Sequence, residues 1–512
     1  MLRLRSYLAD HRPAAIVTWL ALFFLLFYLA GARGTMSFGD DKSMLAVTRS
    51  IATHGSVAVP PGTPGVNMGK DGRYYSKYGL GESVLAVPFY FVGAYVLDSA
   101  KPDSYPNPSA DPITYAVCLV GIFSGVGAVV VLYLSCVELG FGDGASIIAA
   151  IAFGACTFEW FYARTFMTEV PSTFFLICAF YALLRWREEN STRWLWCAGI
   201  SSGLSVFVRL QNVIMLPALG IWLLCELWLW NRYELKKRVA SMVIWSAPIF
   251  ASLLVIAAYN YIRFGSVTDV GIGRPIQRIV LRTDMYLGFY VLRPDDLSLP
   301  RFAPHGTYST PLYVGLYGFL LSPGKSIFWY APILIPAVYG WRFLWRKWPR
   351  ITGMLGILVG SNLILYSKYV WWYGGGAWGP RHMVQILPFL MIGLAALIDH
   401  GLELFGKVAI GAAALLSLLI QAPSILISYI PYEGLMEQTT QSFNRLLWNP
   451  AYSPLIVQSG YLIRHQYQFD LAYNAYTAPD MASFQLVALI ASLVVLGIGA
   501  SLFFDGKQLE LN

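Results

Sequence analysis

Carboxylates are scarce in this chain, 28 Asp and Glu among 512 residues, so those between apolar segments can be weighed one at a time. Asp40 and Asp41 stand together in Gly39-Asp40-Asp41-Lys42, a few residues past the first apolar segment, Pro13 to Ala32. A carboxylate placed there could accept the proton of an acceptor hydroxyl, a role that contributes about 10²–10⁴-fold in rate. Capping a helix start uses the same residue type for about 1 kcal/mol, and one cap suffices where two acids stand. Glu169 is the next candidate, in Thr168-Glu169-Val170-Pro171, where a short loop enters another apolar segment. Pro171 suits a first helical turn, so Glu169 also has a capping reading. An ionisable group at that depth more often faces an internal cavity than lipid. Should Asp40, Asp41 and Glu169 converge, their oxygens would suit a divalent cation such as magnesium, manganese or calcium, but no spacing fixes a metal.

Cations complement these acids. Lys77, Arg209, Arg263, Lys325 and Arg381 each lie near the same end of an apolar segment, and Lys325 opens one in Ser322-Pro323-Gly324-Lys325-Ser326. Free N–H groups at such a helix start favour an anion, and arginine holds a phosphate bidentately. Arg381 closes the run Trp371-Trp372-Tyr373-Gly374-Gly375-Gly376-Ala377-Trp378-Gly379-Pro380-Arg381-His382. Aromatic rings against glycines make flat surfaces on which a sugar ring can stack, although aromatics also gather at membrane interfaces. Tyr75, Trp371, Trp372, Trp378 and His382 are the substrate-binding candidates on this reasoning. His54 and His305 are isolated and read as structural or exposed, the ordinary reading for His382 as well.

The elements that must position these residues are helices in a membrane. The chain is 57% hydrophobic and 12% charged, far from the balance of a soluble domain. Twelve spans are expected, at 13–32, 112–137, 145–162, 169–186, 193–209, 213–230, 239–260, 326–345, 351–369, 382–400, 406–427 and 483–504. Roughly 20 apolar residues match a ~30 Å hydrocarbon core. Arg3, Arg5 and Arg12 ahead of the first span give it the look of a signal anchor rather than a cleaved signal. Loops 185–193, 231–238 and 341–350 hold Arg185, Arg187, Arg193, Arg232, Lys236, Lys237, Arg238, Arg342, Arg346, Lys347 and Arg350. These loops all fall on one side, which the positive-inside rule makes cytoplasmic together with both termini. That placement accounts for much of the net charge of +8 without a nucleic-acid partner.

The long connections 33–111, 261–325 and 428–482 then lie on the opposite, extracytoplasmic face. The first holds a helical stretch from Lys42 to Thr53, stopped by His54-Gly55, then Pro/Gly-rich coil to Gly69. It ends in an apolar run from Glu82 to Leu97, read as an amphipathic or re-entrant helix lying on the leaflet. Two modules follow from this layout: 1–260, which includes loop 33–111, and 261–512, with the other two loops. Cys118, Cys136, Cys156, Cys178, Cys197 and Cys225 all fall in or beside apolar segments, so packing is their role.

A carboxylate pair after the first span, a lysine ahead of an amphipathic segment and a second acid just before a proline together resemble the GT-C glycosyltransferases. The likeness is to lipid A aminoarabinose transferases and protein O-mannosyltransferases, strongest over Asp40–Pro217 and returning at Ser322–Tyr330 and Trp371–Arg381. The resemblance implies an all-α polytopic fold with juxtamembrane helices in the first outer loop. It makes Asp40 the catalytic aspartate, Asp41 a frequent acidic neighbour and Glu169 the second-loop acid. Lys77 would bind the donor phosphate and Arg209 would replace a lysine at the outer end of the fifth span. Tyr78-Gly79 departs from the two prolines of the aminoarabinose enzymes. The implied activity is inverting transfer of a hexose or pentose from a polyprenyl-phosphate donor to a hydroxyl of an envelope glycan, glycolipid or protein. The expected setting is the outer face of a bacterial cytoplasmic membrane, the donor phosphate being held by Lys77, Arg209, Lys325 or Arg381. The alternatives are a flippase for lipid-linked sugars, which needs no surface base, and an O-antigen ligase or polymerase, whose diphosphate donor would demand more clustered arginines.

Overall fold

The structure is a computed structural model that describes residues 12–32, 36, 39–97, 112–229, 234–271, 308–427, 446–464 and 479–503. Arg3, Arg5, Arg232, His305 and the loop segments 98–111, 272–307, 428–445 and 465–478 lie outside the described residues. Helices dominate, as the long apolar runs require: with no water to satisfy them, backbone groups in a bilayer must bond within their own segment. Eight helical segments among the described residues are long and apolar enough to cross a membrane. They include α1 (Arg12–Ala30), α4 (Pro112–Glu138), α10 (Leu235–Phe264), α14 (Pro349–Lys368), α16 (Leu404–Leu426) and, beyond the short α17 (Pro454–Ile463), α18, which runs from Pro479 to Phe503. The other two are α9 (Leu216–Leu229) and α15 (Leu387–Asp399), each entered through a short 3₁₀ turn.

The remaining four expected spans are helical too, two of them broken. Segment 145–162 divides into α5 (Asp143–Cys156) and α6 (Glu159–Ala163). The break is at Thr157, whose hydroxyl donates to the Phe153 carbonyl and accepts from the Glu159 amide. After the short helix α11 (Leu312–Leu321), segment 326–345 divides into α12 (Ile327–Tyr330) and α13 (Leu334–Lys347) at Ala331-Pro332. The proline forces Ala331 out of helical geometry, to φ −146° and ψ 77°. Segments 169–186 and 193–209 are α7 (Glu169–Glu189) and α8 (Thr192–Val208).

Helices α7 and α15 form the interior, α15 being buried on nearly every face. Its close neighbour is α13, and Gly340 and Gly393 make that approach possible: a methyl on either would land on backbone of the other helix. Small residues let helix backbones meet where lipid offers no hydrophobic drive for association. Two further helices pack on each other and on the bundle, α2 (Gly39–His54) and α3 (Gly81–Val92), the latter ending in a π-helical turn to Leu97. The expected stretch from Lys42 to Thr53 is thus a helix, and Gly55 closes it with φ +60°.

One element was not foreseen. Between α2 and α3 the Pro/Gly-rich coil folds into a three-stranded antiparallel sheet of β1 (Ala58–Val59), β2 (Val66–Met68) and β3 (Tyr74–Ser76), ordered β1-β3-β2. Ala58 pairs with Tyr75, and Val66 pairs with Ser76. Strand β3 is central and runs directly into Lys77 and Tyr78. The division at 260/261 falls within α10, which continues unbroken to Phe264.

Candidate active site

Charged side chains from separate helices converge at one end of the bundle. Glu169 opens α7 and Arg209 follows the end of α8, whereas the basic residues Arg185, Arg187 and Arg193 lie at the opposite ends of the same helices. Asp40 is in the first turn of α2 and Arg381 begins the 3₁₀ turn before α15. Arg381 Nη1 donates to Asp40 Oδ2 at 2.9 Å, and its Nε stands 4.0 Å from Glu169 Oε1. Arg209 Nη1 donates to the same Glu169 oxygen at 2.8 Å. Acid and base therefore alternate from Asp40 through Arg381 and Glu169 to Arg209.

The other Asp40 oxygen is occupied as well. The Tyr78 hydroxyl donates to Oδ1 at 2.5 Å. Burial pushes the Asp40 carboxyl up, but Arg381, the Tyr78 hydrogen bond and Lys77 outweigh it and hold the group below the usual carboxylate range. Burial, and then Asp40 itself, raise the Tyr78 phenol, so it stays protonated. Lys77 is half-buried, with Nζ 5.2 Å from the centre of the Tyr78 ring and no ion pair among the described residues.

Arg209 is differently placed. Its guanidinium is enclosed: Nε and Nη2 donate to the Tyr366 hydroxyl at 3.0 and 2.9 Å, and Nη1 donates to Thr168 Oγ1 at 2.9 Å. Nη2 also meets His382 Nδ1 at 3.0 Å. His382 Nε2 lies 3.3 Å from the Trp371 carbonyl, and its ring stacks on Tyr366 at 4.3 Å. A nitrogen that accepts from arginine and one that donates to a carbonyl define a neutral imidazole. With its amide oriented to satisfy both ends, Gln385 joins the enclosure through Arg209 Nε at 3.2 Å and the His382 carbonyl at 2.9 Å. Arg209 and His382 are thus bound to protein groups on the side of Glu169 away from Asp40. Arg381 is less fully engaged, its buried Nε having no hydrogen-bond partner among the described residues. Its path is cleared by Gly374, at φ +73°, where a Cβ would sit 2.8 Å from Arg381 Cγ.

Several expected site residues are elsewhere. Asp41 is buried, and its Oδ1 accepts from the Lys42 amide at 2.6 Å. Consecutive helical residues point about 100° apart, so Asp40 and Asp41 cannot serve one point. A divalent cation does not fit among Asp40, Asp41 and Glu169 as arranged: Asp41 faces away and Arg381 stands between the other two. Among the described residues no three His, Cys, Asp or Glu side chains are grouped to hold a metal ion. Lys325 is fully buried, with Nζ donating to the carbonyls of Ala377 at 2.5 Å and Gly379 at 3.1 Å. It braces the loop that delivers Arg381.

Of the aromatic run, Trp378 and Trp372 belong to the core. Trp378 donates to Gln421 at 3.0 Å and packs on Tyr330 and Phe161; Trp372 lies on Phe319, Tyr373 and Trp448. Neither ring is free to stack on a sugar, and Trp371 alone of the three stays half-exposed. Tyr75 is buried in the small sheet, where its hydroxyl donates to Asp71 at 2.7 Å; burial and that carboxylate push it up to about 12.

Residues 113–258, from α4 into α10, match the family model described as dolichyl-phosphate-mannose-protein mannosyltransferase. The match bears out the resemblance to protein O-mannosyltransferases. It takes in Glu169 and Arg209; Asp40, Lys77 and Arg381 lie outside it. Among solved structures, ArnT from Cupriavidus metallidurans bound to undecaprenyl phosphate is similar at 13% identity and a TM-score of 0.47, over 96% of this chain and 77% of that one. The S. cerevisiae protein O-mannosyltransferase Pmt1-Pmt2 complex bound to the sugar donor gives 15% and 0.37, over 49% and 33%. The archaeal oligosaccharyltransferase AglB from Archaeoglobus fulgidus, in complex with an inhibitory peptide and a dolichol-phosphate, gives 12% and 0.45, over 84% and 60%. No curated protein matches the chain in sequence.

Sequence reasoning missed four contributors. Tyr366, Thr168 and Gln385 carry no signal, each being an isolated polar residue beside an apolar run. Tyr78 was visible only as a departure from the prolines of a resembled family. Beside them Glu82, in the first turn of α3, is wholly buried, with no hydrogen bond to either carboxyl oxygen among the described residues. Burial, and then Glu169, push its carboxyl up.

Proposed function

We propose that this chain is an inverting glycosyltransferase that moves a sugar from a polyprenyl-phosphate donor to a hydroxyl of an envelope glycan, glycolipid or protein. The observation that carries the reading is Asp40 held against Arg381 beside Lys77, whose amine has no ion pair among the described residues: a base adjoining cations with donors to spare. Lys77 and Arg381 take the donor phosphate, and Arg381 turns from Asp40 to do so. Asp40 accepts the proton of the acceptor hydroxyl, whose oxygen attacks the anomeric carbon as the lipid phosphate leaves. Charge on that phosphate is neutralised by the two cations, usually a large share of barrier lowering. The chain's own cations do the work that a divalent ion would otherwise do. Glu169, locked to Arg209, orients Arg381 from behind. The basic loops at the far ends of α7, α8 and α10 support a cytoplasmic placement for that side and an outward-facing site in a bacterial cytoplasmic membrane.

Native mass spectrometry of gently purified protein tests the donor. A co-purified polyprenyl phosphate, with or without a sugar mass, is the expected result. Bulk phospholipid alone across repeated preparations, with no sugar released from a panel of polyprenyl-phosphate hexoses and pentoses, would overturn the reading in favour of a flippase. Release of a diphosphate lipid would instead point to a ligase or polymerase.

A further inference from the structure

We propose that Tyr78 is a further catalytic residue, whose phenol oxygen takes the proton of the acceptor hydroxyl while its own proton passes to Asp40. The proposal rests on Asp40 being the base. Both carboxylate oxygens of Asp40 are engaged, one by Arg381 at 2.9 Å and the other by Tyr78 at 2.5 Å. A phenol that donates to a carboxylate keeps oxygen lone pairs for an incoming hydroxyl. Arg381 leaves Asp40 for the donor phosphate whereas the Tyr78 hydrogen bond stays, so an acceptor that docks on Tyr78 is joined to Asp40 without displacing the phenol.

The phenol is held for this task. Its ring lies against Gly65, where a Cβ would sit 3.1 Å from it and where φ is +66°. The Tyr78 amide donates to Ser76 Oγ at 3.1 Å, and Arg263 donates to the Ser76 carbonyl and, at 3.5 Å, to that of Tyr78. The backbone on both sides of Lys77 is thus pinned from α10. Such support for the group next to the reacting atoms fixes geometry before substrate arrives.

The step balances without a co-reactant. The acceptor O–H breaks and a Tyr78 O–H forms; the original Tyr78 O–H breaks and an Asp40 Oδ1–H forms. The acceptor oxygen bonds the anomeric carbon as the bond from that carbon to the phosphate oxygen breaks and its electron pair leaves with the lipid phosphate. Tyrosine ends as it began, and Asp40 carries the proton until the site opens to water.

The test uses full-length protein in native membranes and the panel member of the polyprenyl-phosphate sugars that it turns over. Tyr78→Phe keeps the ring and its packing. A relay predicts that single-turnover transfer falls at least about 100-fold, with donor half-saturation unchanged and the thermal midpoint lowered only by the one lost hydrogen bond. If Asp40 acts directly, the same variant frees one carboxylate oxygen, and transfer would hold or rise; that result overturns the proposal. A proton inventory separates a relay from mere orientation of Asp40. The wild-type curve is expected to bow, because two protons are in flight, and a linear wild-type curve would refute the relay. Asp40→Asn serves as the companion: an active Asp40→Asn variant removes the underlying reading, whereas an inactive one beside an active Tyr78→Phe removes the relay alone.

Discussion

Replacing Asp40 with Asn changes charge at nearly constant shape and should move two quantities in opposite directions. The amide can still give its oxygen to Arg381 and its NH₂ to the Tyr78 oxygen, so the fold should lose only about 1 kcal/mol. As a base the amide is lost, and turnover should fall about 10²–10⁴-fold. Donor affinity should rise. In the wild type the lipid phosphate must draw Arg381 away from a carboxylate 2.9 Å distant, with side chains 19% and 26% exposed. Discounted for that exposure, the pair is worth about 1 kcal/mol, so its removal should tighten donor binding by roughly fivefold. Radiolabelled donor under single-turnover conditions measures the first effect, and native mass spectrometry titration of the lipid phosphate measures the second. Turnover within threefold of wild type would refute Asp40 as the base. Donor binding weakened tenfold would refute the competition between phosphate and carboxylate for Arg381.

Lys77→Ala should raise the donor half-saturation about tenfold, roughly 1.4 kcal/mol, and make it less sensitive to salt; an unchanged value would remove Lys77 from the site. Arg209→Ala should act on stability, costing about 3–5 kcal/mol because it strands the buried Glu169 charge, read as a lower thermal midpoint in detergent before any substrate is added. Glu82→Gln should leave the midpoint unchanged in acid and raise it progressively with pH. The folded carboxyl is pushed up, so its contribution is intact below the unfolded value and is lost as pH rises through the folded one. A gain confined to low pH would contradict the buried, protonated carboxyl.

The helices were legible because membrane physics writes them as long apolar runs, and even their ends could be placed: His54-Gly55 stops α2 where a glycine at positive φ is needed. The sheet was not, because strands of two or three residues leave no alternation to read. Residue types at the site were visible, but their partners were not. Arg209 and Arg381 are both arginines near helix ends, and only the fold shows one walled in by Tyr366 and His382 and the other reaching Asp40. Trp372 and Trp378 read as a stacking surface for a related reason: a sequence of rings and glycines describes a tight core and an open wall equally well.

The Arg263 bond to the strand before Lys77 ties the site to the thickness of the bilayer. Helix α10 has 30 residues, about 45 Å of helix, against a hydrocarbon core of ~30 Å. Such a helix meets a thinner or thicker bilayer by changing its tilt, and α10, mostly exposed along its length, is held chiefly by its close contact with α8. Arg263 lies one residue from its end. Tilting α10 therefore swings the Lys77 amine relative to Asp40 and Arg381, which are carried by other elements. Reconstitution into phosphatidylcholines of graded chain length should give turnover with an optimum thickness, and Arg263→Ala should flatten that dependence.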